Sequence, residues 1–431
     1  MLTRIQIMKK VLYLLAVLLV SSPLQRLQAA ESSAANNIKM VSFTVKAPDA
    51  LTAMIRAALD QHPRMQASRA AMQASLKRLK AAQQAVYNPE LELDTERTGI
   101  DSSYLQLSQK IDLGDLRGSL TSVAQAGLVK AKADFELAVL RLQYDLVSSY
   151  IERDTQSELS TLSEQTLGLM SEFVSIAELR HKSGDLSQVE LDLARLAHSE
   201  SVISHARTLT ELVTAREKLN AIFISPPVNI PALRDKLPQA GLPDDLETFL
   251  HTLPGVRANV AEVSIARYTV DLRRSKKRVN PTIALRGGKD GSDSLVGITL
   301  SVPLNVRNTY SAEIEVAQQR LIERQQLAQQ AFREQRSKVL ASTQRLQLLR
   351  KAWLAWKKTG QSSVTRQLES IKRLWRAGDM STSDYLVQLK QTLDTQVAGV
   401  ELQSKLWKSS LDWMLATASI DDWLNLTTES N

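Results

Sequence analysis

The sequence predicts a mainly helical protein with two β-hairpins, built as a tandem duplication, and three observations carry this. From Arg117 to Ile222 there is no proline, and only Gly118, Gly127 and Gly168 precede a break at Gly184. Apolar and polar residues alternate in two places, at 91–95 with 105–113 and at 283–285 with 298–304. Landmark pairs recur along the chain at offsets of 191 to 194 residues.

The first 29 residues read as a leader and not as part of the fold. Lys9 and Lys10 precede the apolar run Val11–Val20, and Leu27-Gln28-Ala29 offers a cleavage site that can shift to follow Ala30. This is the pattern of a secretory signal peptide, too short in its apolar part to cross a bilayer. Arg4, Lys9, Lys10 and Arg26 leave with it, so the formal charge of +8 falls to about +4. Export and that modest charge argue against a nucleic-acid partner.

The expected organisation is a signal peptide at 1–29, a first structural repeat at 30–240, a second at 241–420 and a C-terminal tail at 421–431. Residues 30–47 are polar. A helix then begins near Pro48-Asp49, is interrupted at His62-Pro63, resumes to about Val86 and ends before Asn88-Pro89, because a residue preceding proline is pushed out of the helical region. Two strands of about ten residues follow, joined around Gly99-Ile100-Asp101, since period-two alternation marks a strand with unlike faces.

The long helix comes next. Leu120, Ala124, Gly127, Ala131, Phe135, Ala138, Leu142 and Leu146 keep one apolar stripe, and at about 1.5 Å per residue the first arm is roughly 95 Å long. Gly184 can close it in the left-handed region, and Asp185 or Ser187 can cap the returning helix. A proline-rich connector, Pro226 to Pro243, closes the first half.

The order then recurs. Leu253-Pro254 repeats His62-Pro63, Asn280-Pro281 repeats Asn88-Pro89, Leu300-Ser301 repeats Leu107-Ser108, and Gly378-Asp379 repeats Gly184-Asp185. A second hairpin is expected around Gly291-Ser292 and a second helical run from about Asn308. Nearly constant offsets point to duplication. Four strands per chain cannot close a barrel, and lipid satisfies no open edge. Three chains would supply twelve strands, with the helical hairpins curling into an α-barrel beneath.

Within this frame the chain resembles the TolC-like outer-membrane efflux protein family over nearly all of its mature length. Asn88-Pro89-Glu90-Leu91, and Leu107-Ser108-Gln109-Lys110-Ile111-Asp112-Leu113-Gly114 with Arg117 close behind, resemble its cobalt–zinc–cadmium (heavy-metal RND) branch. The resemblance implies a homotrimeric channel with a 12-stranded outer-membrane β-barrel and a periplasmic α-barrel. It also implies a periplasmic adaptor (membrane fusion) protein and an inner-membrane RND-type pump as partners. Carried over by motif, the adaptor-contacting tips are Leu179, Arg180, Gly184 and Ser187, and Leu374, Gly378 and Ser381. The second tip departs from the first, with Leu374-Trp375 where the first has Arg180-His181.

Several chemistries are excluded. With no cysteine there is no thiol catalyst, thiolate metal site, disulfide frame or lipidated cysteine. No phosphate loop, nucleophile elbow or zinc-protease signature appears, so neither an enzyme nor a cofactor is expected. Of five histidines, His198 and His205 lie two helical turns apart, about 10 Å, too far to share an ion. Asp185, Asp192, Asp379 and Asp384 lie near the tips. They either cap and solvate their helices or face the lumen as acidic rings favouring cations. A drug or protein secretion duct of the same fold, and a periplasmic coiled-coil scaffold without a pore, remain alternatives.

Overall fold

The computed structural model describes residues 46–97, 101–223 and 241–426, all within one compact unit, Phe43–Asn431. The expected leader, the turn at Gly99-Ile100 and most of the connector from Pro226 lie outside the described residues. The first half runs α1 (Asp49–Gln61), α2 (Pro63–Ala82), β1 (Glu90–Arg97), β2 (Asp101–Lys110), α3 (Leu116–Lys182) and α4 (Gln188–Ile222). The second runs α5 (Leu246–Thr252), α6 (Pro254–Lys277), β3 (Thr282–Asp290), β4 (Asp293–Ser301), α7 (Ser311–Ala355), a π-helical turn (Trp356–Gly360), α8 (Gln361–Ala377) and α9 (Thr382–Ala416). A short α10 (Ile420–Leu424) ends the described chain.

The two proline junctions share one backbone geometry. His62 precedes α2 with φ −68° and ψ 129°, and Leu253 precedes α6 with φ −67° and ψ 135°. Proline at the first helical position fixes φ and needs no N–H there, so each junction turns the chain without losing a hydrogen bond. α2 stops at Ala82, a turn short of the expected Val86, and the Thr121 hydroxyl donates to the Ala82 carbonyl at 3.0 Å.

α3 is the spine. Its 67 residues span about 100 Å. Along its first half it packs against α2 and α6, and along its second against α4 and α9. Its buried stripe is made largely of small or aliphatic residues, Ala124, Ala133, Leu142, Leu146 and Ile151 among them, which lets neighbouring helices approach closely. Around its middle, α10 seals the joint: Trp423 and Leu424 are buried, and Gln143 of α3 donates to Asp421. The first residues of the expected C-terminal tail are therefore a docked helix.

The second long run, Ser311 to Ala377, is as long as α3 but is not continuous. A π turn interrupts it at Trp356–Gly360, and the Trp356 indole lies against Gly360 and Gly399. No side chain at either glycine could share that space. The helical periodicity did not reveal this break, because one extra residue in a turn leaves composition unchanged.

All four strands form one antiparallel sheet in the order β1-β2-β3-β4. Two hairpins distant in sequence are joined through β2 and β3, with Leu107 opposite Leu285. Among the described residues, no helix is long and apolar enough to cross a membrane.

Candidate adaptor-facing tips and membrane sheet

Each helical hairpin turns on a glycine in the left-handed region, Gly184 and Gly378, both at φ +85°. The closures match. The Asp185 N–H donates to the Arg180 carbonyl at 2.9 Å, and the Asp379 N–H to the Leu374 carbonyl at 3.0 Å. These bonds satisfy carbonyls that the helix end would otherwise orphan. The returning helices start on Ser187 and Ser381, whose hydroxyls accept from the N–H groups of Glu190 and Asp384. In the first tip the box is reciprocal, and hydrogen bonds from the Ser187 hydroxyl and amide hold the Glu190 carboxyl below its ordinary pKa.

Apolar and small residues face solvent at these ends beside charged ones. Leu179 is 66% and Leu374 43% exposed, and Gly184, Ser187, Gly378 and Ser381 are all exposed. Behind them Phe173, Trp375 and Tyr385 stack with ring centroids 4.7 to 5.2 Å apart, fastening the first hairpin to the second. Glu172 of α3 reaches Lys372 at 2.7 Å and also pairs with Arg376.

Arg180 differs from the other tip residues. Its guanidinium donates to the carbonyls of Trp375 and Arg376 at 2.8 and 3.2 Å, and lies 4.9 Å from the Trp375 ring. It ties one tip to the other. The non-equivalence of Arg180-His181 and Leu374-Trp375, visible in sequence, thus has a geometric meaning: the two pairs meet. His181 Nδ1 donates to the Leu186 carbonyl at 2.8 Å, so that nitrogen carries the proton.

The four tip-proximal aspartates are exposed, and three have local partners. Asp185 accepts from Ser183 at 3.0 Å, Asp192 from Gln188 at 2.8 Å and Asp384 from Ser381 at 2.6 Å. His198 and His205 meet Ser171 and Ser163 across the α3–α4 seam, at 3.1 and 2.9 Å. Among the described residues no cluster of histidines and carboxylates could hold a metal ion.

The sheet has two unlike faces. Directly opposed residues of an antiparallel pair share a face. Leu91, Leu107, Leu285 and Ile298 form one row across all four strands, and Leu93, Leu105, Gly287 and Val296 the next but one. These leucines, Ile298 and Val296 are exposed, Val296 at 88%. The intervening rows are mostly polar, as in Glu92, Gln106 and Arg286, with Gln106 donating to Glu92 at 3.0 Å and Arg286 lying 3.6 Å from the Tyr104 ring. Alternation showed each strand's faces in the sequence. The row continuing across β2 and β3 joins residues nearly 180 apart, and no local signal carries that register.

A sheet apolar on one exposed face and mostly polar on the other, open at both edges among the described residues and continued by helices of about 100 Å, defines the fold of an outer-membrane channel subunit. The solved channels agree. The chain superimposes on CusC with a TM-score of 0.75 at 15% identity, covering 87% of this chain and 93% of that one. For the Campylobacter jejuni CmeC channel the TM-score is 0.74 at 16% identity, covering 85% of each chain. For the Neisseria gonorrhoeae MtrE channel it is 0.72 at 17% identity, covering 88% and 90%. Residues 54–223 match the model of the family described as Outer membrane efflux protein. Over that stretch the chain is similar to the TolC-like outer-membrane efflux proteins. A curated relative, the cobalt-zinc-cadmium resistance protein CzcC of Cupriavidus metallidurans, is 23% identical over 237 residues, which span 52% of this chain and 57% of the relative.

Proposed function

We propose that three copies of this chain form a passive exit duct of a tripartite efflux system, fed by an inner-membrane RND-type pump through a periplasmic adaptor. The four-stranded sheet carries this reading. Among the described residues its β1 and β4 each lack a partner on one side, and its apolar face is exposed. In lipid an unpaired edge is untenable, so copies must pair edge to edge until the barrel closes, and twelve strands do so with three. Planar-bilayer recording from purified trimers tests it. Stepwise conductance is expected, and a periplasmic monomer without conductance would refute it and favour a scaffold without a pore.

Heavy-metal cations are the proposed cargo, on the strength of the likeness to CzcC and the sequence branch signature. A deletion strain should become sensitive to zinc, cadmium and cobalt. Sensitivity confined to dyes and detergents would favour the drug-duct alternative.

Leu179, Gly184, Ser187, Leu374, Gly378 and Ser381 are proposed to meet the adaptor, since a glycine turn with exposed leucines admits another hairpin closely. Arg180 is proposed to act there by holding the two tips together. Asp185, Asp192, Asp379 and Asp384 are proposed to favour cations where they face the lumen. Unchanged cation preference in both Asp192→Ala and Asp384→Ala channels would remove that role.

A further inference from the structure

The end of the sheet that joins the helices is ringed by cations, and the far end is not. Lys77 and Lys80 lie in the closing turns of α2, Lys276 and Lys277 end α6, Arg278 follows it, and Arg307 follows β4. All six are exposed, and none forms an ion pair with a carboxylate among the described residues. They belong to one place in the fold. The Ser119 and Ser275 hydroxyls are 2.7 Å apart, Asn305 donates to the Lys277 carbonyl at 2.8 Å, and the Gly114 N–H donates to buried Asn280 at 2.9 Å.

Of the acids at this end, Glu90 is exposed at the start of β1, and Asp112 and Asp115 accept from the backbone at the start of α3. Asp112 accepts from the N–H groups of Leu116 and Arg117, at 2.8 and 2.9 Å, and Asp115 accepts from Gly118. At the opposite end the sign reverses: Glu96, Asp101, Asp290 and Asp293 stand beside Arg97 and Lys289. Helix dipoles account for cations in a closing turn. They do not account for Arg278 and Arg307, which lie outside helices, or for the reversal across the sheet.

The exposed apolar band begins at the collar, with Ile283, Leu300, Val302, Leu304 and Val306, the last 80% exposed. Ten strand residues tilted by about 40° rise roughly 25 Å, the height of a membrane band. Cations at the rim of such a band keep their stems on the apolar surface and their heads at the level of lipid phosphates. We propose that this collar binds the phosphate groups of anionic phospholipids in the leaflet on the helix side of the membrane, fixing the depth of the sheet. The proposal rests on the outer-membrane placement of the sheet.

The test is native mass spectrometry of the full-length protein, reconstituted with phosphatidylglycerol or phosphatidylcholine of matched acyl chains and released into detergent. Attraction of roughly 1 kcal/mol per cation corresponds to about fivefold each, so wild-type protein is expected to retain phosphatidylglycerol at least about tenfold over phosphatidylcholine. K276Q/K277Q/R278Q should lower the ratio several-fold, K80Q/R307Q should lower it independently, and K289Q at the far end should leave it unchanged. Equal retention by the wild-type protein, or a preference undiminished in both collar variants, overturns the proposal alone. Failure to insert with either lipid overturns the membrane placement as well.

Discussion

The Arg180 guanidinium, on the last turn of α3, hydrogen-bonds the main-chain carbonyl of Trp375 at 2.8 Å and covers that residue's ring at 4.9 Å. One side chain thereby bridges the ends of two helical hairpins. Arg180→Ala should remove a charge-assisted hydrogen bond and a cation–π contact, about 1–2 kcal/mol of local stability. Hydrogen exchange at residues 374–380 should quicken several-fold. Exchange as slow as in the wild-type protein would show that the aromatic stack of Phe173, Trp375 and Tyr385 holds the tips without it.

Two glycines should respond to alanine for different reasons. At Gly378 the space is open, and the penalty is the left-handed backbone alone, roughly 1–2 kcal/mol. At Gly399 an added Cβ would stand 2.5 Å from Cζ2 of Trp356, so Gly399→Ala should cost about 1–3 kcal/mol by overpacking. Urea unfolding should recover much of the second loss in Trp356→Ala/Gly399→Ala, and none of the first in Trp356→Ala/Gly378→Ala.

The two faces of the sheet should tolerate charge unequally. Leu285 sits in the apolar row between Leu107 and Ile298, and Leu285→Arg should cost about 2–4 kcal/mol in lipid and deplete outer-membrane trimers. Gln106→Arg, on the opposite face, should assemble normally. Equal yields from both variants, by fractionation and heat-modifiable migration, would contradict the assignment of faces.

Asp421 gives a pH dependence. Burial raises its carboxyl pKa, a hydrogen bond from Gln143 lowers it, and neighbouring Asp422 raises it; Asp422 is itself raised by burial and offset by Lys46. A proton bound more tightly in the folded state favours folding at low pH, and that contribution is lost as pH rises through the folded pKa. Asp421→Asn should therefore be more stable than wild type at pH 7, with the advantage shrinking toward pH 4. Its amide can also donate to Gln143 Oε1, a buried oxygen without a hydrogen-bond partner among the described residues. Denaturant unfolding at both pH values checks this, and a constant difference would remove the electrostatic cause.

Much of the fold was written locally. Proline at 63 and 254, glycine at 184 and 378 and alternation at 91–95 and 298–304 each restrict backbone torsions within a few residues, so elements and turns could be read directly. The tip glycines and serines came with those turns, and the tip leucines only with the family resemblance. Arg180 was legible as a tip residue but not as a tie, because its partner Trp375 is 195 residues away. The π turn stayed hidden for a similar reason: Trp356 needs Gly399 of another helix to make room for its ring.

The succession of helices and strands and the apolar face of each strand follow from short-range sterics and periodicity, and so could be read along the chain. It took the packed chain to join the hairpins into one sheet through β2 and β3, to close one tip on the other through Arg180, and to gather cations from α2, α6 and the segment after β4 around one rim. Such meetings depend on how rigid elements about 100 Å long pack side by side, and packing joins residues that no local pattern connects.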